Sequence, residues 1–326
     1  MLKQISLLIL CAAAIVWFAT PVQACTSAVV SGKVTPDGRP LLWKNRDTDF
    51  MQNHIDYVKG EKYNFIAVVN SANAYLKEAW MGTNSSGFAL MNTQSYNLVD
   101  VKGDEERGAA NGRVIYRALE VCATVEDFCH FLDTISKPSD IEANFGVIDA
   151  QGGAAMFEVD YHKYVMYDAN NPKDAPYGYI ARTNFSFAGK VNEGAGYVRY
   201  MEADQVLMKA SATGSITPQF IFNDLSRSFR NRMLDIDLRS GAYNRPQASG
   251  WFVDQDFIPR SSTSCSVVVQ GVKPGEKAEL TTMWTLLGYP PTGIAIPLWV
   301  KDAGKLLPGM VRFGKEHEAA PLSDWS

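Results

Sequence analysis

Short apolar runs separated by turn-forming residues make up most of the chain from residue 25 onwards. Runs of about four to eight apolar or alternating residues, bounded by Gly, Pro, Asn or Asp, are typical of β-strands. The turn-forming stretch at residues 150–153 lies between two such runs and indicates a hairpin. The pattern predicts strands at residues 27–31, 40–44, 63–69, 78–82, 87–91, 144–149, 154–159, 163–167, 178–183, 265–272, 279–286 and 294–300.

Longer stretches with helical patterning interrupt these strands. Thr124 is a suitable N-cap with Asp127 at the third helical position, and Thr217 followed by Pro218 is a second helix-start signal. Because strands and helices come in blocks and do not alternate, the order favours an α+β fold in which antiparallel sheets pack together and are covered by helices. The predicted helices lie at residues 112–121, 125–135, 196–209 and 217–229.

Residues 1–24 have the features of a secretory signal peptide. The basic Lys3 precedes an apolar stretch over residues 7–18, and Val22 and Ala24 suit a cleavage site after Ala24. The apolar stretch is shorter than the roughly 20 residues of a membrane-spanning helix, and no later segment is long and apolar enough. We therefore expect an exported protein, periplasmic or extracellular and without a membrane span, that begins at Cys25.

The remainder of the chain is expected to form one domain. The sequence has 326 residues, 46% of them apolar and 20% charged, which is enough for a substantial core. No repeat, low-complexity tract or change of composition divides it. We predict a single domain over residues 25–313, followed by a polar C-terminal tail over residues 314–326.

Charge and composition exclude several classes of partner. Acidic and basic residues number 35 and 31, and no Lys or Arg run collects on one segment, so no nucleic acid is expected as a partner. The four histidines lie in no ligand motif and the cysteines match no zinc spacing, so no metal or cofactor is expected. Cys122 and Cys129 could form a disulfide only across a break between helices, and buried free thiols are favoured. The sequence leaves the oligomeric state open.

Cys25 would have unusual chemistry as an N-terminal residue. Its α-amino group, with an ordinary pKa of about 7.7 to 8.0, would lie a few bonds from the thiol and could act as its general base. The alternative is a lipoprotein, with Cys25 carrying the lipid. Gln23 departs from the lipobox pattern, and a strand follows Cys25 where a flexible tether is expected. A free N-terminal Cys25 is therefore favoured.

Several motifs resemble one enzyme superfamily. Residues 25–47, which open with Cys25-Thr26 and close with Asn45-Arg46-Asp47, resemble the start of the cysteine branch of the N-terminal nucleophile hydrolases. That branch includes choloylglycine hydrolases, penicillin V acylases, acyl-CoA:6-aminopenicillanate acyltransferases and some dipeptidases. The resemblance continues over the whole chain after the leader and implies a four-layer αββα sandwich with two stacked antiparallel sheets. The later matching segments are residues 82–92, 180–184, 263–265 and 284–291.

The resemblance also implies a mechanism of acyl transfer from an amide. Cys25 would attack the carbonyl carbon, and its amine would relay the proton. The side chain of Asn184 and a donor at Asn92 would hold the oxyanion, and Asp47 would accept a hydrogen bond from the Cys25 amine. Water would then hydrolyse the thioester.

The resemblance does not decide which of Lys44, Arg46 and Arg199 is the cation beside the sulfur. The function implied is hydrolysis of a linear amide C–N bond in a small N-acyl substrate. An acyltransferase that uses an amine in place of water, or a dipeptidase, would use the same site. A lipid-anchored binding protein with an acylated Cys25 is the alternative from another class. The sequence does not identify the acyl group or the amine.

Overall fold

Two antiparallel sheets lie face to face in the computed structural model of the protein, which describes residues 24–99, 108–241, 254–312 and 319–324. The predicted signal peptide, apart from Ala24, lies outside the described residues. The apolar runs of the sequence form these sheets because most strands bury both of their faces, one against the other sheet and one against helices.

The first sheet begins with the segment that carries Cys25. Its strands are β1 (Cys25–Val30), β2 (Leu41–Asp47), β10 (Tyr179–Arg182), β13 (Thr263–Gln270), β14 (Thr282–Leu287) and β15 (Ile296–Leu298). Their order across the sheet is β10-β1-β2-β13-β14-β15. The strand that bears Cys25 therefore lies between β2 and a strand from much later in the chain.

The second sheet follows the order of the chain as an antiparallel meander from β3 to β9. Its strands are β3 (Asn53–Val58), β4 (Phe65–Asn70), β5 (Met81–Asn84), β6 (Ala89–Gln94), β7 (Ala143–Ile148), β8 (Ala154–Val159) and β9 (Tyr164–Asp168). A short hairpin outside both sheets pairs β11 (Arg230–Asn231) with β12 (Ile236–Asp237).

Helices connect the strands and cover the sheets. The α-helices are α1 (Asn111–Val121), α2 (Val125–Thr134), α3 (Tyr197–Ala212), α4 (Pro218–Phe220), α5 (Ala303–Leu306) and α6 (Pro321–Asp324). A π-helical turn, Ile221–Leu225, continues directly from α4. Short 3₁₀ turns lie at Gly32–Val34, Ser71–Leu76, Leu238–Ser240, Asp254–Asp256 and Ala278–Leu280.

The hydrophobic core is divided into layers by the two sheets. Val29 and Leu42 of the first sheet cluster with Ile66 and Met91 of the second sheet, all of them buried. Because side chains alternate along a strand, the next residues in sequence face outward to the helices. Cys25 lies four positions before Val29 in β1, so its side chain points toward the same interior layer as Val29.

The outer faces of the sheets pack on different helices. Phe128 of α2 packs on Phe145 of β7, and Leu207 of α3 belongs to the same buried cluster as Trp43 of β2. The layers are therefore helix, sheet, sheet and helix. The predicted α+β class with a four-layer αββα sandwich is confirmed.

Helix starts followed the predicted capping chemistry, but one helix is shorter than predicted. Thr124 and Asp127 form a reciprocal capping box at the start of α2, and Thr217 caps α4. The helix predicted over residues 217–229 was wrong in length, because hydrogen bonding changes to the π pattern after Phe220 and the chain then enters β11. Strand β3 was not predicted, since its polar residues obscure the strand pattern.

Two further expectations concern the chain end and the cysteines. Within the predicted polar tail, Ala319 and Ala320 are buried, and the Ala320 N–H donates to the Asn53 carbonyl at 3.1 Å, so this part packs on β3. Cys122 and Cys129 are both free thiols, with Cys122 buried and Cys129 half-buried. None of the helices in the described residues has the length and apolar character to cross a membrane.

Candidate active site

Cys25 lies at the first position of β1, in a row of paired residues that crosses the first sheet. Its cross-strand partner is Arg46 in β2, and Arg46 is in turn paired with Cys265 in β13. Paired residues of antiparallel strands point to the same face of the sheet. These three side chains therefore share the face that looks toward the second sheet.

The backbone of Cys25 is held on both sides by side chains from distant parts of the chain. Its N–H donates to Asn184 Oδ1 at 3.0 Å, and its carbonyl oxygen accepts from Arg199 Nη1 at 2.7 Å. The sulfur lies 3.9 Å from the Asp47 carbonyl oxygen, and only 7% of the residue is exposed. In this structure Ala24 precedes Cys25, so the nitrogen is a peptide N–H and not an amine.

Asn184 follows β10 and connects three elements. Its Oδ1 accepts from Cys25 and from Arg199 Nη2, the latter at 2.7 Å. Its Nδ2 donates to the Gln94 carbonyl of β6 at 2.8 Å. The predicted proximity of Asn184 to Cys25 is therefore seen, while its role as an oxyanion donor stays a prediction.

Arg199 is the one of the three candidate cations that is hydrogen-bonded to Cys25 in the described residues. It lies in the first turn of α3 and is fully buried, and its Nη1 also donates to Thr26 Oγ1 at 2.8 Å. Burial lowers the pKa of Arg199 to about 10, a value at which it stays charged at neutral pH, while Asp47 acts in the opposite direction.

Asp47 directs its carboxylate away from the Cys25 side chain, toward the helix-facing side of the sheet. Oδ1 accepts from Thr263 Oγ1 at 2.6 Å, and Oδ2 forms an ion pair with Arg260 Nε at 2.9 Å. Burial raises the pKa of Asp47, and the positive charges of Arg260 and Arg199 oppose that rise. The predicted hydrogen bond from the Cys25 amine to Asp47 stays a prediction, because the Cys25 nitrogen here donates to Asn184.

Arg260 is a site residue that the sequence analysis missed. It lies in the loop before β13, is buried, and is also fixed by Gln255, whose Oε1 accepts from Nη1 at 2.6 Å. No motif marks this arginine in the sequence. The only available signal was indirect: a buried Asp47 requires a cationic partner, and the sequence does not say which cation supplies it.

Lys44 joins the two sheets beside the Cys25 row. Its Nζ donates to Asn92 Oδ1 and to the Trp80 carbonyl, each at 3.0 Å. Burial lowers the pKa of Lys44, and electrostatic interaction with Cys25 acts in the opposite direction. Lys44 and Asn92 are therefore brought together, at electrostatic range from Cys25 and without a direct hydrogen bond to it in the described residues.

Arg46 occupies a separate polar pocket between the sheets. It donates to Asn53 Oδ1 and, at 2.7 Å, to Asn70 Oδ1, and its guanidinium lies 4.7 Å from the centre of the Trp80 ring. Burial lowers the pKa of Arg46. Like Lys44, this buried cation is bonded to neutral groups, so both positive charges act on Cys25 without a carboxylate between them.

An apolar cavity of about 430 Å³ opens at the same end of the first sheet. Gly288, one of its lining residues, directly follows Leu287, which is paired with Cys265. Asp254 and Ser261 contribute polar groups from the loop that carries Arg260. The apolar part of the lining consists of Met51, Phe229, Pro259 and Tyr289.

A larger cavity, of about 500 Å³, lies at the opposite end of the strands, beside Asn84 and Thr281. Since β14 begins at Thr282 and reaches the Cys25 row only at Leu287, this cavity is remote from the candidate site. In the described residues no group of three or more His, Cys, Asp or Glu side chains is arranged to hold a metal ion.

The fold and the position of Cys25 define a class of protein. Two stacked antiparallel sheets between helical layers, with Cys25 at the start of the strand next to the edge strand β10, form the sandwich of the N-terminal nucleophile hydrolases. The chain belongs to the acyl-coenzyme A:6-aminopenicillanic acid acyl-transferase family, whose model matches residues 34–211.

The chain is also similar to several solved structures. An N-acylethanolamine-hydrolyzing acid amidase ortholog from Caenorhabditis elegans is 15% identical, with a TM-score of 0.42 over 62% of this chain and 89% of that chain. Penicillin V acylase from Agrobacterium tumefaciens is 15% identical, with a TM-score of 0.43 over 85% and 86%. A mutant conjugated bile acid hydrolase from Clostridium perfringens is 15% identical, with a TM-score of 0.45 over 84% and 92%. No curated protein sequence matches the chain.

Proposed function

We infer that the mature protein is an exported hydrolase of linear amides, with Cys25 as its nucleophile and the Cys25 α-amino group as its base. The observation that carries this proposal is the contact between Cys25 N and Asn184 Oδ1, 3.0 Å apart and 159 positions apart in sequence. Cleavage after Ala24 would turn this peptide nitrogen into an amine. The same Asn184 oxygen would then orient that amine beside its own thiol.

The reaction proceeds through an acyl-enzyme. Cys25 Sγ bonds to the amide carbonyl carbon while the α-amino group takes the thiol proton. The tetrahedral intermediate collapses when the C–N bond breaks and the amine returns that proton to the leaving nitrogen. Water, deprotonated by the same amine, then attacks the thioester and releases the carboxylic acid and the thiol.

The oxyanion would be held by amide groups from both sheets. Lys44 binds Asn92 Oδ1, and among the described residues Asn92 Nδ2 has no hydrogen-bond partner, so this group would donate to a substrate oxygen. The second donor would be Asn184 Nδ2, which also donates to the Gln94 carbonyl. Loss of one oxyanion donor costs about 10² to 10³ in turnover in well-characterised cases.

The apolar cavity beside the Cys25 row supports a small N-acyl amide as substrate. Its volume of about 430 Å³ is in the range that holds small ligands, and Met51, Phe229, Pro259 and Tyr289 give it apolar walls. Across the sheet, Cys25 and Leu287 are separated by three strand spacings, about 14 Å. The cavity would therefore take a part of the substrate that is remote from the scissile bond.

Family membership favours a second candidate, transfer of the acyl group to an amine. Both activities share the thioester and differ only in the acceptor. The two are separated by adding a primary amine during turnover and measuring the ratio of N-acyl product to free acid. Hydrolysis as the function predicts free acid as the main product when the amine is present at millimolar concentration.

The first experiment measures the intact mass of the exported protein and identifies which cysteine iodoacetamide labels. The proposal requires cleavage after Ala24 and a free Cys25 that reacts with iodoacetamide. A diacylglyceryl group on Cys25 would contradict it and favour the lipid-anchored binding protein. Fractionation of cells tests export in the same preparation.

The second experiment compares two cysteine variants in one row of the sheet. Cys25→Ser is expected to lower the rate of amide hydrolysis by more than about 10³-fold, whereas Cys265→Ser, which changes a buried thiol two strands away, is expected to keep it. Suitable substrates are bile conjugates, penicillin V, N-acyl homoserine lactones, N-acyl amino acids and dipeptides. Unchanged hydrolysis in Cys25→Ser would place the chemistry elsewhere.

A further inference from the structure

The loop after Asn184 leaves the first sheet and is hydrogen-bonded to the second sheet. Strand β10 ends at Arg182, and the chain returns to Asn184 at Ala195, where the two backbones exchange hydrogen bonds of 3.1 and 3.2 Å. The position of Asn184 therefore depends on the groups that hold the loop between these points.

Three buried polar side chains of the second sheet form a row, and two of them are hydrogen-bonded to this loop. Thr93, Asn144 and Glu158 are successive cross-strand partners in β6, β7 and β8, and we call them the polar row. Asn144 Nδ2 lies 3.2 Å from the carbonyl oxygens of Thr183 and Phe185, which flank Asn184. The same Nδ2 lies 3.1 Å from Thr93 Oγ1. The polar row thus contacts the backbone on both sides of Asn184.

Glu158 is the charged member of the polar row, and it binds the backbone of the loop directly. Its Oε1 accepts from the Phe187 N–H at 2.8 Å, and its Oε2 accepts from the Ala188 N–H at 2.7 Å. It also forms a buried ion pair with Arg182, Nε to Oε1 2.6 Å. One carboxylate therefore binds residues before and after Asn184.

Arg182 extends this arrangement to the nucleophile strand. Its carbonyl oxygen accepts from Ser27 Oγ at 3.3 Å, and it is paired with Ser27 of β1. Its guanidinium lies 3.9 Å from the centre of the Phe187 ring. Buried ion pairs contribute little net stability, but removal of one partner leaves an uncompensated charge. The arrangement is therefore suited to fixing geometry.

We propose that Glu158 is a positioning residue for the Cys25 site, acting through Asn184. The carboxylate holds the loop at Phe187 and Ala188, the loop holds Asn184, and Asn184 Oδ1 holds the Cys25 nitrogen. Glu158 does not touch the reacting atoms in this arrangement. The proposal rests on the proposed function, in which the Cys25 amine is the base.

The test uses the mature protein and the variant Glu158→Gln, which keeps the shape and removes the charge. A displacement of about 1 Å in a catalytic group can cost about 10²-fold, so kcat is expected to fall by about 10- to 100-fold while KM changes by less than about threefold. The rate at which iodoacetamide labels Cys25, followed by peptide mass, is expected to fall in the same variant.

Asp149→Asn is the matched control. Asp149 is also buried in the second sheet's β7–β8 hairpin and accepts backbone N–H groups of Val125, Gln151 and Gly153 at 2.8 to 2.9 Å. It lies at the far end of these strands from Glu158. Asp149→Asn is expected to lower the melting temperature and to keep kcat and the labelling rate.

The outcomes separate the positioning role from a structural role. If Glu158→Gln loses no more kcat than Asp149→Asn, or labels as fast as the wild type, the proposal is overturned. If Glu158→Gln does not fold, Glu158→Asp is measured instead, because it keeps the negative charge near Arg182 but shortens the side chain that accepts from the Phe187 and Ala188 N–H groups. Wild-type kcat and labelling in that variant would overturn the proposal as well.

Failure of the proposed function would look different. In that case the wild-type protein would show amide hydrolysis that survives Cys25→Ser, or none on any substrate. The labelling rate of Cys25 would still compare Glu158→Gln with Asp149→Asn. Equal rates would then overturn the positioning role independently of activity.

Discussion

Arg199 and Asn184 form a hydrogen bond of 2.7 Å through the same Asn184 oxygen that accepts the Cys25 N–H. One side-chain oxygen thus joins α3, the end of β10 and the start of β1. Arg199 completes the contact by donating to the carbonyl oxygen of Cys25 at 2.7 Å. Cys25 is therefore fixed at both its nitrogen and its carbonyl by a single pair of side chains.

Arg199→Lys is expected to lower kcat by about 10²-fold with a smaller change in KM. A guanidinium presents its N–H groups in one rigid plane and can reach Cys25, Thr26 and Asn184 together, whereas an ammonium group cannot reproduce that geometry. Steady-state kinetics on the mature protein measure this effect.

Arg227→Lys serves as the control for that substitution. Arg227 also donates to backbone carbonyls, those of Pro290 and Gly293, but makes no contact with Cys25 or Asn184 in the described residues. The kcat of Arg227→Lys is expected to stay near the wild-type value. Equal losses in the two variants would show that Arg199 acts only through general stability.

Lys44→Met is expected to slow the labelling of Cys25 by iodoacetamide about 10-fold at pH 7. Thiolate is the attacking species, and a buried positive charge within electrostatic range stabilises an anion by about 1 to 2 kcal/mol. Lys33→Met, which removes an exposed cation, is the control and is expected to label at the wild-type rate. If Lys44→Met labels as fast as Lys33→Met, Lys44 has no electrostatic role at the sulfur.

The parts of the site that could be predicted from the sequence are those attached to strand patterns. Cys25 and Asp47 lie at the ends of the first two apolar runs, and Asn184 follows another, so the resemblance could be assigned residue by residue. Arg260 could not be predicted, because it reaches Asp47 from a loop with no periodic pattern. Pairing between distant loops depends on the tertiary fold.

Strand β3 could not be predicted for a similar reason. Asn53 is completely buried because its Oδ1 accepts from Arg46 and its N–H donates to Ser323 Oγ. A local pattern classifies such a residue as exposed, since its partners come from other parts of the chain. The π-helical turn Ile221–Leu225 was not predicted for a different reason. Over a single turn, the spacing of apolar residues does not distinguish a π-helix from an α-helix.

Stability is expected to fall between pH 6.5 and pH 4 because of His54. Burial lowers the pKa of His54 from 6.5 to about 4. The unfolded chain therefore binds more protons in this interval, so the contribution of His54 is present above pH 6.5 and is lost as the pH falls toward 4. After allowance for screening by water, about 2 kcal/mol is expected.

Urea unfolding at a series of pH values measures this dependence. His54→Gln is expected to flatten the curve between pH 6.5 and pH 4. His130→Gln, which changes an exposed side chain on α2, is expected to leave the curve as it is. A His54→Gln curve as steep as that of the wild type would assign the acid sensitivity to other groups.

Gly196→Ala is expected to impair the site without removing any functional group. Gly196 precedes α3 with a φ of +85°, and a Cβ at this position would overlap with the Arg199 guanidinium and lie 2.9 Å from the Thr183 side chain. The left-handed backbone costs an L-residue about 1 kcal/mol, and the overlap additionally displaces Arg199 from Cys25. A kcat lower by more than about 10-fold is expected, as for other small displacements of catalytic groups.

Gly214→Ala separates backbone strain from displacement of Arg199. Gly214 follows the other end of α3 with a φ of +60°, and nothing lies within 4 Å of a Cβ there. Both variants should therefore lose about 1 kcal/mol of stability from the left-handed conformation, measured by urea unfolding. Only Gly196→Ala should lose turnover, because only its Cβ meets the side chain that holds Cys25. Equal kcat values in the two variants would mean that the position of Arg199 does not limit the reaction.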